Sequence, residues 1–485
     1  MDSQKVNITE LTREISEKGQ VVGKTPSRLN YHFMPQIGWM NDPNGFIKYK
    51  GEYHLFYQFY PHGTSWGPMH WGHAKSKDLL HWEYLPVALA PSEAYDCDPN
   101  VEGYGCFSGS ATTQNDDLVL MYTGDVDSKE IPQTQNIAIS SDGINFDKVD
   151  VNPVIPNFPK EATKDFRDPK LFKVDDTWYS VIGTHNETLG ELALYRSKDL
   201  LKWDYLGILA QSNGKQGTMW ECPNIILSDK NDFLIVSPME GTVNLKPIYI
   251  SGKANLKEPS FKQSGQGILD YGNDFYAPQT MDVDGRHILI AWISQWFSKM
   301  PTADDGWTGA MTIPREVTIK NGRLYQTPVK ELETIRVDQL CEIKNQEVTH
   351  LEQDIPEASE LKFNLQIPEN YDGTIELEIA DREDTTQNCK LTIDLKKSEI
   401  ILDCSNYSVE KREICKAPYE GTGDTIDFDI FLDTNSIEAF INNGETTITN
   451  RIYPEAKLKT MKLVCDNQKP FVVNAFSAWK LDKTI

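Results

Sequence analysis

The sequence predicts an all-β protein in which a five-bladed β-propeller is followed by a β-sandwich. Three observations support this prediction. A decapeptide recurs in the first half of the chain, strongly apolar strand candidates recur every 54 to 66 residues, and short alternating strands fill the last third. Recurrence at this spacing is typical of repeat architectures, whereas a sandwich alone would show none.

The N-terminal segment, residues 1–30, is expected to be an extension that forms a short helix. Ile8, Leu11 and Ile15 share one helical face, and charged residues surround them. The segment has no apolar stretch of the kind that a secretory signal requires, so we expect a cytoplasmic protein.

The decapeptide indicates how the propeller is divided. SKDLLHWEYL at 76–85 and SKDLLKWDYL at 197–206 are near-copies, and SSDGINFDKV at 140–149 is a weaker one. Each predicts a polar turn that leads into an aromatic-bearing strand, so Trp82 and Trp203 are expected to pack within blades.

Five apolar strand candidates, which open near residues 52, 118, 178, 232 and 287, complete the repeat. Five four-stranded blades over residues 31–335 account for this spacing, and a solenoid is the alternative.

The remaining residues, 345–485, are expected to form the sandwich. Segments such as LKFNLQI (361–367), TIELEIA (374–380) and TIDFDIFLD (425–433) alternate apolar and polar residues. Many short strands of this kind are typical of an antiparallel β-sandwich. At the junction, ELETIRVDQL (331–340) is expected to form a short connecting helix.

The composition excludes several classes of function. Lys and Arg total 48 against 72 Asp and Glu, which gives a net charge of −24. Phosphate backbones and anionic lipids would be repelled, so neither a nucleic-acid partner nor a membrane partner is expected. No stretch of 18 apolar residues occurs, so no transmembrane helix is expected. No Walker, dinucleotide-binding or G-x-S-x-G motif is found, and no cofactor is predicted.

The eight cysteines show no C-x-x-C pair and no zinc-ligand spacing. In a long chain without a secretory signal we expect free thiols, with four disulfides as the alternative. His70 and His73 are expected to pack in the core or at its rim rather than bind a metal ion.

A polar cluster precedes each apolar strand at a nearly constant distance. Asp42, Ser108, Asp168 and Ala277 lie ten residues before their strands, and Glu221 lies eleven before its own. Equivalent positions of successive blades surround one mouth of the central channel. The three acidic residues are therefore expected to converge on one site.

Three carboxylates beside aromatic residues indicate glycoside hydrolysis, because sugar rings stack on aromatic faces and carboxylates act as nucleophile and proton donor. Metal binding is the competing use of clustered carboxylates. No calcium-loop motif occurs, and the prolines after Asp42 and Asp168 suit fixed turns, so no metal site is predicted.

The motifs that contain these residues resemble glycoside hydrolase family 32, which includes invertases, fructan hydrolases and sucrose-6-phosphate hydrolases. They are WMNDPNG (39–45), FSGSA (107–111), FRDP (166–169), WECP (220–223), the segment from YAPQT (276–280) to PREVTI (314–319), and DTNSIEAFINNGETTITNRIYP (433–454). The resemblance covers about residues 30–485, and the five-bladed propeller and sandwich of that family agree with the repeat count.

The resemblance implies that Asp42 is the nucleophile, Glu221 the general acid/base and Asp168 the transition-state stabiliser. A retaining enzyme needs one ionised and one protonated carboxyl group about 5–5.5 Å apart, so Asp42 is expected to be ionised and Glu221 protonated. The resemblance also implies contacts with the terminal fructose from Asn41, Gln58, Trp66, Phe107, Ser108, Arg167, Tyr276 and Trp292.

The predicted function is the retaining hydrolysis of terminal, non-reducing β-D-fructofuranosides through a covalent fructosyl-enzyme. A small sugar, sucrose 6-phosphate or sucrose, is the expected substrate, with short fructo-oligosaccharides or fructan as the alternative. A non-catalytic sugar-binding propeller is the alternative of another class. Assembly into a homo-oligomer is left open.

Overall fold

The computed structural model describes residues 7–485 except 295, 297, 368, 370, 422, 467 and 468. The strands of the described residues form seven sheets, five in the propeller and two in the sandwich. The all-β prediction, with a propeller preceding a sandwich, is thereby confirmed. No helix among the described residues is long and apolar enough to cross a membrane.

The five propeller sheets consist of antiparallel strands in near-sequential order. The first strand of each sheet contacts the first strand of the next, and the fifth contacts the first, so the ring is closed. The strands of the first three sheets are β1 (Gly38–Tyr49), β2 (Glu52–Tyr60), β3 (His70–Ser76) and β4 (Trp82–Leu89); β5 (Tyr104–Gln114), β6 (Asp117–Val126), β7 (Gln133–Ser140) and β8 (Asp147–Lys148); β9 (Arg167–Val174), β10 (Thr177–His185), β11 (Gly190–Ser197) and β12 (Trp203–Gln211).

The last two sheets complete the ring. Their strands are β13 (Met219–Ile226), β14 (Asp232–Glu240), β15 (Val243–Asn244), β16 (Ile248–Asn255) and β17 (Ser260–Ile268); β18 (Tyr276–Val283), β19 (Arg286–Trp292), β21 (Arg315–Lys320) and β22 (Arg323–Pro328). The short strand β20 (Trp307–Thr308) lies between β19 and β21 in the chain, but it belongs to the first sheet, where it pairs in parallel with β1. This pairing ties the end of the propeller to its beginning.

The repeated decapeptide forms the same turn wherever it occurs. Asp78 accepts hydrogen bonds from the backbone N–H groups of Leu80 and His81, and Asp199 accepts the equivalent pair in the third sheet. The indole N–H of Trp82 donates to the carbonyl of Leu79, and Trp203 repeats this contact with Leu200. Both indoles pack against blade cores, as predicted.

The sandwich consists of two six-stranded sheets around one apolar core. Its strands are β23 (Arg336–Val348), β24 (His350–Pro356), β25 (Ser359–Gln366), β26 (Thr374–Asp381), β27 (Asn388–Asp394), β28 (Glu399–Asp403), β29 (Cys415–Pro418), β30 (Thr425–Asp433), β31 (Ser436–Ile441), β32 (Thr446–Arg451), β33 (Leu458–Cys465) and β34 (Phe471–Leu481). Alternate residues of these strands are buried in the core, which agrees with the alternation in the sequence.

Helical structure is sparse. The N-terminal helix α1 (Ile8–Val22) begins at Asn7, whose side chain accepts from the N–H of Glu10, and it buries Leu11 and Ile15 against the first blade. Short 3-10 helices occupy Pro301–Ala303, Lys330–Ile335 and Ser405–Tyr407. All eight cysteines are free thiols.

The connecting helix predicted at 331–340 is only half present. The 3-10 helix ends at Ile335, and Arg336 begins β23, which pairs with β34. Pairing with a full-length neighbour satisfies the backbone groups of residues 336–340, so the tertiary context overrides the local helical pattern.

Buried charges join the propeller to the sandwich. His32, which precedes β1, lies 2.8 Å from an oxygen of Asp433 and 2.9 Å from an oxygen of Glu438, both in the sandwich. Arg315 of the fifth blade bonds Glu438 and, at 2.9 Å, Asp270. All five side chains are fully buried, so these contacts between the domains are shielded from solvent and salt.

Candidate active site

All five inner strands carry a β-bulge at the same height of the channel. The register breaks between Met40 and Pro43, Phe107 and Gly109, Arg167 and Lys170, Glu221 and Asn224, and Tyr276 and Gln279. A bulge leaves a residue outside the ladder and redirects its side chain. This shared irregularity explains why the predicted site residues recur at constant spacing.

The bulges also correct one predicted equivalence. Asp168, Cys222 and Ala277 have positive φ angles of 63°, 46° and 50°, and each precedes a proline. A proline cannot donate to the ladder, which suits a bulge. Cys222, rather than Glu221, is therefore the counterpart of Asp168. Glu221 lies one residue earlier, which accounts for its offset of eleven.

Asp42 is buried and accepts hydrogen bonds at both carboxylate oxygens. The hydroxyl of Ser108 donates at 2.6 Å, and the amide of Asn41 donates at 3.0 Å while being held by the indole N–H of Trp39. Burial raises the pKa of Asp42, and the bonds from Ser108 and Asn41 oppose that rise. Ser108 and Asn41, both predicted to contact the sugar, therefore also hold the predicted nucleophile.

Asp168 is connected to Asp42 through Cys222. The backbone N–H of Cys222 donates to Asp168 at 2.9 Å, and its thiol lies 3.4 Å from Asp42 and 3.6 Å from Asp168. Burial and the neighbouring charge of Glu221 raise the pKa of Asp168. The same burial, with the two aspartates, raises the pKa of the Cys222 thiol, which remains a neutral donor.

Glu221 is bound from both sides. Arg167 donates to its Oε1 from Nε and from one terminal nitrogen, both at 3.0 Å, and the hydroxyl of Tyr276 donates to Oε2 at 2.6 Å. These three hydrogen bonds hold the Glu221 carboxyl group between the third and fifth blades. The protonated state expected for Glu221 stays a prediction.

Aromatic rings form one wall of the site. The Trp39 ring lies 5.8 Å from the ring centres of both Trp292 and Trp296. Trp66, which is 38% exposed, meets Phe107 edge to face at 6.1 Å. Trp292 has no exposed surface and packs against Trp39. It therefore supports the Trp39 ring, whereas the family resemblance implied a direct contact of Trp292 with the sugar.

Gln58 is buried behind this wall, and its amide donates at 2.9 Å to the backbone carbonyl of Cys106 in the next blade. It therefore joins two blades beside the site. Predicted residues from all five blades thus converge, and the structure adds Trp296 and the contacts of Cys222, which lies in the WECP motif, with both aspartates. The prolines that follow Asp42, Asp168, Cys222 and Ala277 are the sequence signal that could have identified Cys222.

Comparisons with known proteins agree with this geometry. The N-terminal domain profile of glycosyl hydrolases family 32 matches residues 32–328, and the C-terminal profile matches residues 331–480. A sucrose-6-phosphate hydrolase of Zymomonas mobilis is 38% identical over 483 residues, which cover 93% of this chain and 91% of that protein.

Two solved structures are similar over nearly their whole length. A Bombyx mori GH32 beta-fructofuranosidase mutant in complex with sucrose has a TM-score of 0.86 and 34% identity, with 99% of each chain covered. The sucrose-6-phosphate hydrolase of Lactobacillus gasseri has a TM-score of 0.84 and 28% identity, with 98% of this chain and 97% of that chain covered.

Proposed function

We propose, because this chain belongs to glycosyl hydrolase family 32, that Asp42, Glu221 and Asp168 perform its reaction. The protein is a glycoside hydrolase of the β-fructofuranosidase type. The observation that supports this assignment of roles is the convergence of carboxylates from three blades. Cys222 contacts both Asp42 and Asp168, and Arg167, which precedes Asp168 in the chain, donates to Glu221.

In the first step, Asp42 attacks the anomeric carbon of the terminal fructosyl unit. The bond from that carbon to the glycosidic oxygen breaks, and Glu221 protonates the departing oxygen. In the second step, Glu221 removes a proton from water, which attacks the same carbon and releases Asp42. Two displacements restore the original configuration.

Asp168 would accept hydrogen bonds from hydroxyl groups of the fructosyl ring. These bonds strengthen as the ring approaches the oxocarbenium-like transition state. The backbone N–H of Cys222 donates to the Asp168 carboxylate at 2.9 Å and fixes its orientation. Trp39 and Trp66 supply the aromatic surface for the sugar face.

Sucrose 6-phosphate is the substrate that we propose as preferred, with sucrose next. The support is the similarity along the whole chain to sucrose-6-phosphate hydrolases. The eight free thiols suit a reducing compartment, so we place the enzyme in the cytoplasm, acting on imported sugar.

The test is kcat/KM for sucrose 6-phosphate, sucrose, 1-kestose and inulin, measured side by side. We expect release of fructose with the phosphorylated sugar preferred, and a loss of about 10⁴-fold or more in Asp42→Asn. Asp204→Asn, which changes an exposed acid of the outer strand β12, is the matched control and should retain full activity. Equal rates on inulin would contradict the substrate proposal, and an active Asp42→Asn enzyme would contradict the assigned nucleophile.

A further inference from the structure

A continuous chain of polar contacts leads from the rim of the site to Glu221. The Nε2 atom of His185 lies 3.1 Å from one oxygen of Asp165, and Arg167 donates to the other oxygen of Asp165 at 3.0 Å. The same guanidinium donates twice to Glu221. Arg167 is therefore shared between two carboxylates, and only one of them belongs to the proposed machinery.

Arg167 is held on its remaining side by neutral groups. The amide oxygen of Gln133 lies 3.4 Å from its terminal nitrogen, and the sulfur of Met239 lies at 3.8 Å. Its side chain is 13% exposed, whereas that of Asp165 is 41% exposed. Arg167 thus has little room to move, and the more accessible carboxylate is the one at the rim.

Other charged groups face this pair from neighbouring strands. Asp168 lies next to Arg167 on β9, and Asp125, whose carboxylate is held by Gln133 at 3.0 Å, approaches from β6. Asp42 and Tyr276 face Glu221 from β1 and β18. None of these groups bonds directly to Arg167, so Asp165 and Glu221 are the two acids that compete for its donors among the described residues.

This competition has a consequence for proton donation. Glu221 must be protonated when the leaving group departs, whereas a neighbouring positive charge favours the ionised form of a carboxyl group. A second carboxylate on the same guanidinium withdraws part of that stabilisation. Its negative charge also disfavours a second ionised carboxylate nearby.

We propose that Asp165, held by His185, is a positioning residue that shares Arg167 with Glu221 and so sets the pH range in which the enzyme can protonate its leaving group. The inference rests on the proposed function, because it assigns Glu221 the role of proton donor. Asp165 and His185 themselves touch no reacting atom.

The first test is the pH profile of kcat/KM for sucrose in Asp165→Asn. Once the negative charge of Asp165 is removed, Glu221 is the only carboxylate that bonds Arg167 among the described residues. The ionised form of Glu221 should then be favoured, and the alkaline limb should move to lower pH by about one unit. On that limb the activity should fall about tenfold relative to the unchanged enzyme. The acidic limb, which reports the nucleophile, should stay in place.

Two variants of His185 test its contact with Asp165. His185→Gln keeps an N–H donor for Asp165 and should retain the original profile. His185→Ala removes the donor, so the less compensated charge of Asp165 interacts more strongly with Arg167 and the alkaline limb should move to higher pH, opposite to Asp165→Asn. Asp204→Asn removes one negative charge from the outer strand of the same blade and serves as the matched control.

A substrate whose leaving group needs no proton separates this role from a structural one. With β-D-fructofuranosyl fluoride, Asp165→Asn should match the unchanged enzyme across the alkaline range. An equal loss with the fluoride and with sucrose, or an unmoved alkaline limb with sucrose, would overturn the proposal. Absence of fructofuranoside hydrolysis in the unchanged enzyme would instead overturn the proposed function.

Discussion

Asp42 depends on its neighbours to remain ionised. Burial raises the pKa of its carboxyl group, and the 2.6 Å bond from Ser108 is the largest opposing contribution. At the scale of single residues, the site therefore balances desolvation against a few short hydrogen bonds.

Ser108→Ala tests that balance. Without its hydroxyl donor the pKa of Asp42 should rise, so the acidic limb of the kcat/KM profile should move to higher pH by about one unit. The profile for sucrose measures this shift directly. Ser128→Ala, which removes an exposed serine–aspartate bond of 3.2 Å, should leave the limb unchanged. An unmoved limb in Ser108→Ala would contradict the role given to this bond.

The sequence predicts the convergence of Asp42, Asp168 and Glu221 because equal spacing within repeats implies equal height in a propeller. It does not predict the contact of Cys222 with both aspartates, because that contact depends on a left-handed backbone at φ 46°. A motif shows which residues are adjacent in the chain. The direction in which a bulge turns each of them is a property of the folded strand.

At the scale of elements, the repeated decapeptide shows how a local pattern builds a blade. Asp199 accepts backbone N–H groups of the turn before β12, at 3.0 Å from Leu201 and 2.8 Å from Lys202. This turn holds Trp203 in the blade. Residues 76–85 have nearly the same sequence, so the first and third blades can be recognised as repeats of each other. The fourth and fifth blades contain no copy of the decapeptide.

Asp199→Ala should lower the free energy of unfolding by about 1 kcal/mol, because two backbone donors lose their acceptor. Urea denaturation measures the change. Asp204→Ala removes an exposed acid from the same strand region and should have little effect. Equal losses in the two variants would show that the turn contributes nothing specific.

The half-formed connecting helix shows where element prediction fails. Residues 331–335 follow the predicted helical pattern, but residues 336–340 pair with β34. Their strand state depends on a partner more than 130 residues away in the chain, and no local pattern contains that information.

At the scale of the whole molecule, the buried network around His32 couples the domains. Burial alone would lower the pKa of His32, but the carboxylates of Asp433 and Glu438 raise it to about 9. Burial would raise the pKa values of both acids, but the contact with His32 lowers the pKa of Asp433, and the charge of Arg315 together with His32 lowers the pKa of Glu438. The network therefore stabilises the protein most when the imidazole is charged and both carboxylates are ionised.

The sign of the pH dependence follows from these shifts. The contribution of His32 is complete below about pH 6.5 and is lost as the pH rises through about 9, a change of about 3 kcal/mol in the free energy of unfolding. The contributions of the two carboxylates are present above about pH 4 and are lost as the pH falls further.

His32→Gln should be less stable at pH 6.5 and should show a flatter decline towards pH 9.5 than the unchanged protein. Urea denaturation at several pH values measures both effects. His81→Gln removes an exposed histidine–aspartate pair of 2.7 Å and should leave the decline as steep as before. An equally steep decline in His32→Gln would contradict the shifted imidazole.

The two-domain architecture could be predicted from repeat spacing and strand alternation, and the charge network could not. Arg315 lies in PREVTI, and Asp433 and Glu438 lie in DTNSIEAFINNGETTITNRIYP. Neither motif indicates that these residues pair with one another, or with His32 and Asp270, across the domain boundary. Their pairing depends on the way the sandwich docks on the fifth blade.

Trapping of the covalent intermediate shows whether Asp42 attacks the fructosyl carbon with the assistance of Glu221. Glu221→Gln, incubated with β-D-fructofuranosyl fluoride, can form the covalent enzyme but lacks the base that hydrolyses it. Mass spectrometry of the digested protein should find one added fructosyl unit on the peptide that contains Asp42. A fructosyl unit on another peptide, or turnover of the fluoride with no adduct at any time, would contradict the account.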